Sequence, residues 1–342
     1  MKRLSFLGLI LASMLIGCMF GIIPCVAGQQ QNDALPNIIV VTLTGVRPSE
    51  SIEDPVHQYL PFFWNTIRPG GTLYTQMLDK NFPFHMPSVG SINTGLWAKD
   101  VFADINRPSF FQYIARHYGL PPTKHWIIGE WSNQSCCETA DYPRATCPSR
   151  LSTVGITASD QLLVLLNEDE KSFFRQYKNL EGSPFFTWPM WDSLNLVQHR
   201  FFRKIMADYK PALVHYVINA TDSAHFHDYG SYVAAIKSAD GMLRDLWEII
   251  TTDPAYKGNT YLIVTPDHGR NAYYLDHTEN SPQLPSRVWM YIYGPAIRKG
   301  LTITREVSHV DVFSTIMAIA CVHAEQGTGV VLEDCFDQNQ RK

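Results

Sequence analysis

Four short apolar runs set the frame of this chain. Residues 37–44 (Asn-Ile-Ile-Val-Val-Thr-Leu-Thr), 213–218, 260–264 and 288–292 are nearly unbroken and rich in β-branched or aromatic side chains. Runs of that length without polar alternation predict strands buried on both faces, as in a parallel sheet. Between them the period changes. Over residues 232–250, Val233, Ile236, Met242, Leu243, Leu246 and Ile249 fall on one stripe, which predicts an amphipathic helix. Residues 310–320 predict a second helix, 201–209 a shorter one, and 89–94 a short one closed by Gly95. Strands alternating with helices predict an α/β fold, a three-layer sandwich on a mostly parallel central sheet. Ligands bind such sheets beyond the carboxyl ends of the strands.

Residues 120–192 break this rhythm. Pro121, Pro122, Pro143, Pro148, Pro184 and Pro189 punctuate them, and Glu168-Asp169-Glu170 reads as a solvated helix face within 162–177. This stretch predicts an insertion forming a cap or rim on a single domain over 30–342. At the N-terminus, Lys2 and Arg3 precede an uncharged, largely apolar run over 4–27. That pattern predicts an export signal or a membrane anchor. Cleavage after Ala27, lipidation at Cys18 within Leu15-Ile16-Gly17-Cys18, and an uncleaved anchor all remain open. Each places the rest of the chain outside the cytoplasm, in a periplasm or tethered to a membrane.

Composition narrows the classes further. Of 342 residues, 45% are apolar and 18% charged, and 18 Phe, 16 Tyr and 8 Trp supply a large core. The net charge is −4 with no Lys/Arg block, so no nucleic-acid partner is expected. Beyond Ala27 stand Cys136, Cys137, Cys147, Cys321 and Cys335. An oxidising compartment permits disulfides. Cys147 is within reach of Cys136 or Cys137, and Cys321 and Cys335 flank a C-terminal loop.

The chemistry gathers after the strands. Asp222, His225, His227 and Asp228 follow the run 213–218, Asp267-His268-Gly269-Arg270 follows 260–264, and Asp276-His277 precedes 288–292. Carboxylates and imidazoles together, with no cysteine nearby, suit Zn²⁺ or Mn²⁺. Thr44-Gly45 closes the first strand, and His85-Met86-Pro87-Ser88 leads into the short helix. An anion is stabilised at such a helix N-terminus.

These pieces, in this order, resemble the alkaline phosphatase superfamily in its sulfatase-like and nucleotide pyrophosphatase-like branches. The matching segments are 36–47, Met86-Pro87-Ser88 with Asn93-Thr94-Gly95, Asp222 with His225, Asp267-His268-Gly269-Arg270, His277, and 307–313. The resemblance implies a two-metal hydrolase of phosphate or sulfate esters; with the departures described below, phosphate esters come ahead of sulfate esters and one or two divalent cations are expected. One cation would take Asp267 and His268. The other would take Asp222, His277 and either His225 or His227, with His225 favoured. The substrate would be a small-molecule or cell-envelope phosphate ester.

The chain departs from the family pattern twice. Thr44 stands where the family has a metal-binding Asp, and His85 where it has its nucleophile. His85 reads as a ligand, a nucleophile or an inert replacement, and no Cys-x-Pro-Ser or Cys-x-Pro-Arg segment marks a formylglycine sulfatase. With His85 and Arg270 as the catalytic candidates, hydrolysis is the leading expectation. A non-catalytic or phosphoryl-transferring binding protein on the same scaffold is the alternative. Losing the carboxylate at Thr44 predicts unequal metal affinities, with the Asp222 set filled first.

Overall fold

A computed structural model describes residues 35–98, 106–129, 136–151, 167–169, 171–172, 189–222, 228–273 and 286–338. The expected signal or anchor over 1–27 lies outside them, as do His225, His227 and His277 and most of 162–177. Among the described residues no helix is long and apolar enough to cross a membrane.

Among the described residues eight strands form one sheet in the order β4-β3-β5-β1-β6-β7-β2-β8. They are β1 (Asn37–Leu43), β2 (Thr72–Leu78), β3 (His125–Ile128), β4 (Ser149–Leu151), β5 (Leu213–Ile218), β6 (Thr260–Pro266), β7 (Arg287–Tyr293) and β8 (Leu301–Ser308). Every pairing is parallel except those of β7, which runs antiparallel to β6 and to β2. The α/β fold expected from the alternation of runs is the one observed.

Side chains alternate across β1 and so split the core in two. Ile39, Val41 and Leu43 join one cluster with Phe202, Ile205, Ile236 and Leu243. These come from α3 (Pro189–Tyr209) and α4 (Tyr229–Thr252). Ile38 and Val40 join the other, with Ile92, Phe111, Ile114 and Ile316. These come from α1 (His85–Thr94), α2 (Phe110–Tyr118) and α5 (His309–Ile319). Helices on both faces of the sheet give the three layers.

The elements that the runs do not announce each have a physical reason. β8 carries Thr302, Thr304, Arg305 and Glu306 on an exposed edge, so its apolar content is low. β2 mixes Thr72, Thr75 and Gln76 into its pattern. β3 and β4 are four and three residues long. Both come from within 120–192 and extend the edge of the sheet. The helix read over 201–209 starts at Pro189, because polar residues in its first half are buried against β5. Gln198 Nε2 donates to the Val217 carbonyl (2.8 Å), and Asn195 Oδ1 accepts from the Asn219 N–H (3.0 Å). The helix read from residue 89 begins at His85, because Pro87 falls in its first turn, where a missing N–H costs no intrahelical bond.

Of the two partners open to Cys147, the chain uses Cys136. Cys335 does not bond Cys321. It is a buried thiol whose Sγ lies 3.0 Å from the Leu332 carbonyl.

Candidate active site at the strand ends

Parallel register delivers the site. Leu43 at the end of β1 lies opposite Ile218 of β5 and Pro266 of β6. The chain therefore leaves all three strands at one edge, through Thr44-Gly45, Asn219-to-Asp222 and Asp267-to-Arg270.

Asp267 is fully buried. Its Oδ1 accepts the N–H of Gly45 (3.0 Å) and of His268 (2.8 Å), which leaves Oδ2 turned to the site. His268, also fully buried, donates from Nδ1 to the Gly269 carbonyl (2.8 Å). That bond fixes the tautomer and leaves a lone pair on Nε2. Burial lowers the His268 pKa to about 4, against the pull of Asp267.

His85 is the first residue of α1. Its helix start is anchored by Ser88, whose Oγ donates to Asp79 Oδ2 (2.5 Å) and lies 2.8 Å from the Phe84 carbonyl. The imidazole lies between two carboxylates, with Nδ1 2.5 Å from Asp267 Oδ2 and Nε2 2.7 Å from Asp222 Oδ2. Nδ1 is also 3.2 Å from His268 Nε2. Burial opposes charge on this ring, but the carboxylates of Asp222 and Asp267 outweigh it and hold its pKa well above the ordinary value. In return, His268 and His85 hold Asp267 well below the usual carboxylate range despite its burial.

Arg270 braces the other side. Its Nη2 donates to Asp222 Oδ1 (2.5 Å) and the Thr221 carbonyl (3.2 Å), and its Nε to the Gly45 carbonyl (3.1 Å). The guanidinium lies over the Tyr232 ring at 5.6 Å, and Tyr232 Oη donates to the same Gly45 carbonyl (2.9 Å). Gly45 has φ +62°, and a Cβ there would stand 2.7 Å from Arg270 Nη2, so glycine is needed twice over. Arg47 pairs with Glu50 and donates to the Asn271 and Ala272 carbonyls, a structural role.

Thr44 lies beside the cluster but contributes no ligand atom to it. Its Oγ1 donates to the Ile218 carbonyl (3.0 Å).

The structure thus brings together His85, Asp222, Asp267, His268 and Arg270, while His225 and His277 lie outside the described residues. Sequence reasoning gave no role to Asp79, which is buried between Ser88 and His309, with His309 Nδ1 3.5 Å away. His309 Nε2 donates to the Pro266 carbonyl (2.9 Å), one residue before Asp267. His309 within 307–313 was the available signal.

The donor chemistry fits a divalent cation. Asp267 Oδ2 and His268 Nε2 face the same space, and the other polar atom of each side chain is held by a backbone group. Outer-shell bonds of this kind orient metal ligands.

An eight-stranded, mostly parallel sheet with this cluster at its carboxyl edge defines a protein of the alkaline phosphatase superfamily. Residues 145–322, just over half of the chain, match the family model "Sulfatase", and the chain belongs to that family. It is 34% identical over 101 residues to arylsulfatase K of Xenopus laevis, a segment covering 28% of this chain and 18% of that protein. It is 27% identical over 159 residues to arylsulfatase K of Danio rerio, covering 41% of this chain and 29% of that one. The chain therefore matches less than a third of the length of these relatives. Among solved structures, the phosphonate monoester hydrolase of Agrobacterium radiobacter superposes with a TM-score of 0.57 at 14% identity, covering 87% of this chain and 76% of that one. An inactive murine ectonucleotide pyrophosphatase/phosphodiesterase 5 in complex with AMP gives 0.54 at 12% identity, covering 88% of this chain and all of the other. At such identities these two structures bear on the fold alone.

Proposed function

We propose that the chain is a metal-dependent hydrolase of phosphate or sulfate esters, acting outside the cytoplasm. The observation that carries this reading is the convergence of His85, Asp222, Asp267, His268 and Arg270 at the edge where β1, β5 and β6 end. Asp267 and His268 would hold a divalent cation, Zn²⁺ or Mn²⁺ by donor type. Asp222 with His225 and His277 is the second candidate donor set. A bound cation supplies positive charge for the oxygens of the ester group.

The residues of the chain favour displacement by water over a covalent enzyme intermediate. Both ring nitrogens of His85 are engaged. Ser88 is fully buried and committed to Asp79, and Thr44 is committed to Ile218. Water oxygen would bond to phosphorus or sulfur as the bond to the ester oxygen breaks, and the proton from water would end on the leaving alcohol. Asp222, with its side chain 19% exposed, is the member of the cluster open to solvent, with Oδ1 held by Arg270 and Oδ2 by His85. Arg270 holds Asp222 in place and is a positioning residue. Beside it a cavity of about 230 Å³ is lined by Arg47, Glu53, Arg270, Asn271 and Arg287, and its arginines pair with Glu50, Asp222 and Glu53.

Phosphate is preferred over sulfate here because position 85 is not the cysteine from which a formylglycine forms. A small-molecule or envelope ester is the proposed substrate, reached by export and, if the N-terminus is retained, by membrane attachment. The engagement of His85 also supports a second reading, a non-catalytic binding protein on this scaffold. Assay of 4-nitrophenyl phosphate and 4-nitrophenyl sulfate with added Zn²⁺ or Mn²⁺ separates the two. Hydrolysis is expected with the phosphate ester faster, abolished by chelation and lowered at least ~100-fold in Asp267→Asn. Inert esters together with binding of inorganic phosphate would favour the binding protein.

A further inference from the structure

We infer that His85 is a metal ligand, through Nδ1, which completes with Asp267 Oδ2 and His268 Nε2 a single two-histidine, one-carboxylate centre in place of the carboxylate lost at Thr44. The inference rests on the metal-dependent reading above and gives its cation a specific donor set.

Three lines of geometry support it. First, the three donor atoms lie 2.5, 3.2 and 3.7 Å from one another and are buried. Ligands at about 2.0–2.1 Å around a tetrahedral zinc stand roughly 3.3 Å apart, so the two longer edges bracket that spacing. The short edge is the hydrogen bond that the ring makes when it carries a proton in the cation's place.

Second, each donor has the outer partner that a ligand needs. Asp222 Oδ2 takes the far nitrogen of His85 at 2.7 Å, the Gly269 carbonyl takes that of His268 at 2.8 Å, and two backbone N–H groups take Oδ1 of Asp267. The carboxylate–imidazole arrangement at Asp222 and His85 is the outer-shell pattern of metal-binding histidines. One N–H on His85 would have to serve both the His268 lone pair and the Asp267 carboxylate, whereas a cation serves all three donors.

Third, Asp222 is drawn away from ligation. Arg270 engages Oδ1 and His85 engages Oδ2. The Asp267 site therefore has three donors of its own without drawing on Asp222.

The test loads the purified full chain with Co²⁺ and reads the visible ligand-field band and the dissociation constant. One bound Co²⁺ per chain is expected. Affinity should fall at least ~100-fold and the band should change in His85→Ala, and Asp222→Asn should weaken binding roughly 10–100-fold, the usual cost of an outer-shell partner. Adding Thr44→Asp to His85→Ala should restore binding. If His85→Ala does not fold, the ¹⁵N shift of His85 Nδ1 in the unsubstituted chain with Zn²⁺ decides, and it should move to the metal-bound range. An unchanged band and affinity in His85→Ala, or an Nδ1 that stays protonated with Zn²⁺ bound, would overturn the inference. Ester hydrolysis surviving such a result would leave the hydrolase reading standing. A His85-dependent cobalt site in a chain that cleaves no ester would do the opposite.

Discussion

Arg270→Ala should destabilise the chain by about 2–3 kcal/mol, below the ~3–5 kcal/mol of a fully buried pair, because Asp222 reaches solvent and keeps His85. The Arg270 side chain is 0% exposed, so water does not replace it. Its removal leaves Asp222 without its guanidinium and takes donors from the Gly45 and Thr221 carbonyls, all at the site's edge. It also empties the volume over the Tyr232 ring. Asp222→Asn should cost clearly less, because that side chain reaches solvent and an amide still accepts from Arg270. Urea denaturation of the three proteins checks this. A loss below about 1 kcal/mol for Arg270→Ala would mean that the guanidinium does not hold the strand ends together.

A second large effect is acid sensitivity from histidines away from the cluster. His215, fully buried on β5, accepts at Nε2 from Thr42 Oγ1 (2.8 Å) and donates at Nδ1 to Asn93 Oδ1 (2.8 Å), a neutral arrangement. Burial pushes its pKa down to about 3. Burial pushes His125 down to about 4, and neither ring nitrogen of His125 has a hydrogen-bond partner among the described residues. In the unfolded chain both would titrate near ~6.5. The unfolded state thus binds more protons between pH 6.5 and 4, so stability is full above 6.5 and falls as the pH is lowered through that window. By pH 5 each histidine contributes a loss of about 2 kcal/mol, from 1.36 kcal/mol per pH unit. His85 and His309 are shifted upwards, so their contributions are complete below pH 6.5 and are lost only at higher pH. Denaturation midpoints at pH 7 and pH 5 measure the slope. His125→Leu should remove about 2 kcal/mol of the difference, and an unchanged slope would contradict this origin.

How far the sequence carries depends on where each residue's information lies. β5 was legible with the bounds it has, because every side chain of Leu213–Ile218 is buried and the run is unbroken. β8 and β2 were not, because a strand at or near a sheet edge takes its residues from its neighbours as much as from a core. Asp267 and His268 were legible as a pair after a buried strand, and parallel register then brought them to Thr44 and Asp222. The partners within the site were not legible. His85 meets Asp267 across 182 positions, and Arg270 meets Asp222 across 48, and no periodicity encodes such contacts. The same holds for Asp79, which reaches His309 only through the pairing of β2 with β8.

The two departures at Thr44 and His85 are linked in three dimensions. Thr44 turns its hydroxyl to the backbone of β5, and the His85 ring lies where it meets Asp267, His268 and Asp222. Among the described residues Thr44 and Ser88 are hydrogen-bonded to other groups, while the charge and donors around the site remain.

Under the proposed function, ester hydrolysis requires a metal and forms no covalent enzyme intermediate. Rapid quench of the zinc-loaded chain with 4-nitrophenyl phosphate, read by intact mass, tests it most directly. Product is expected only with metal present, from a chain whose mass is unchanged at every quench time. A phosphoryl adduct on His85, or no product from a chain shown to hold zinc, would contradict it.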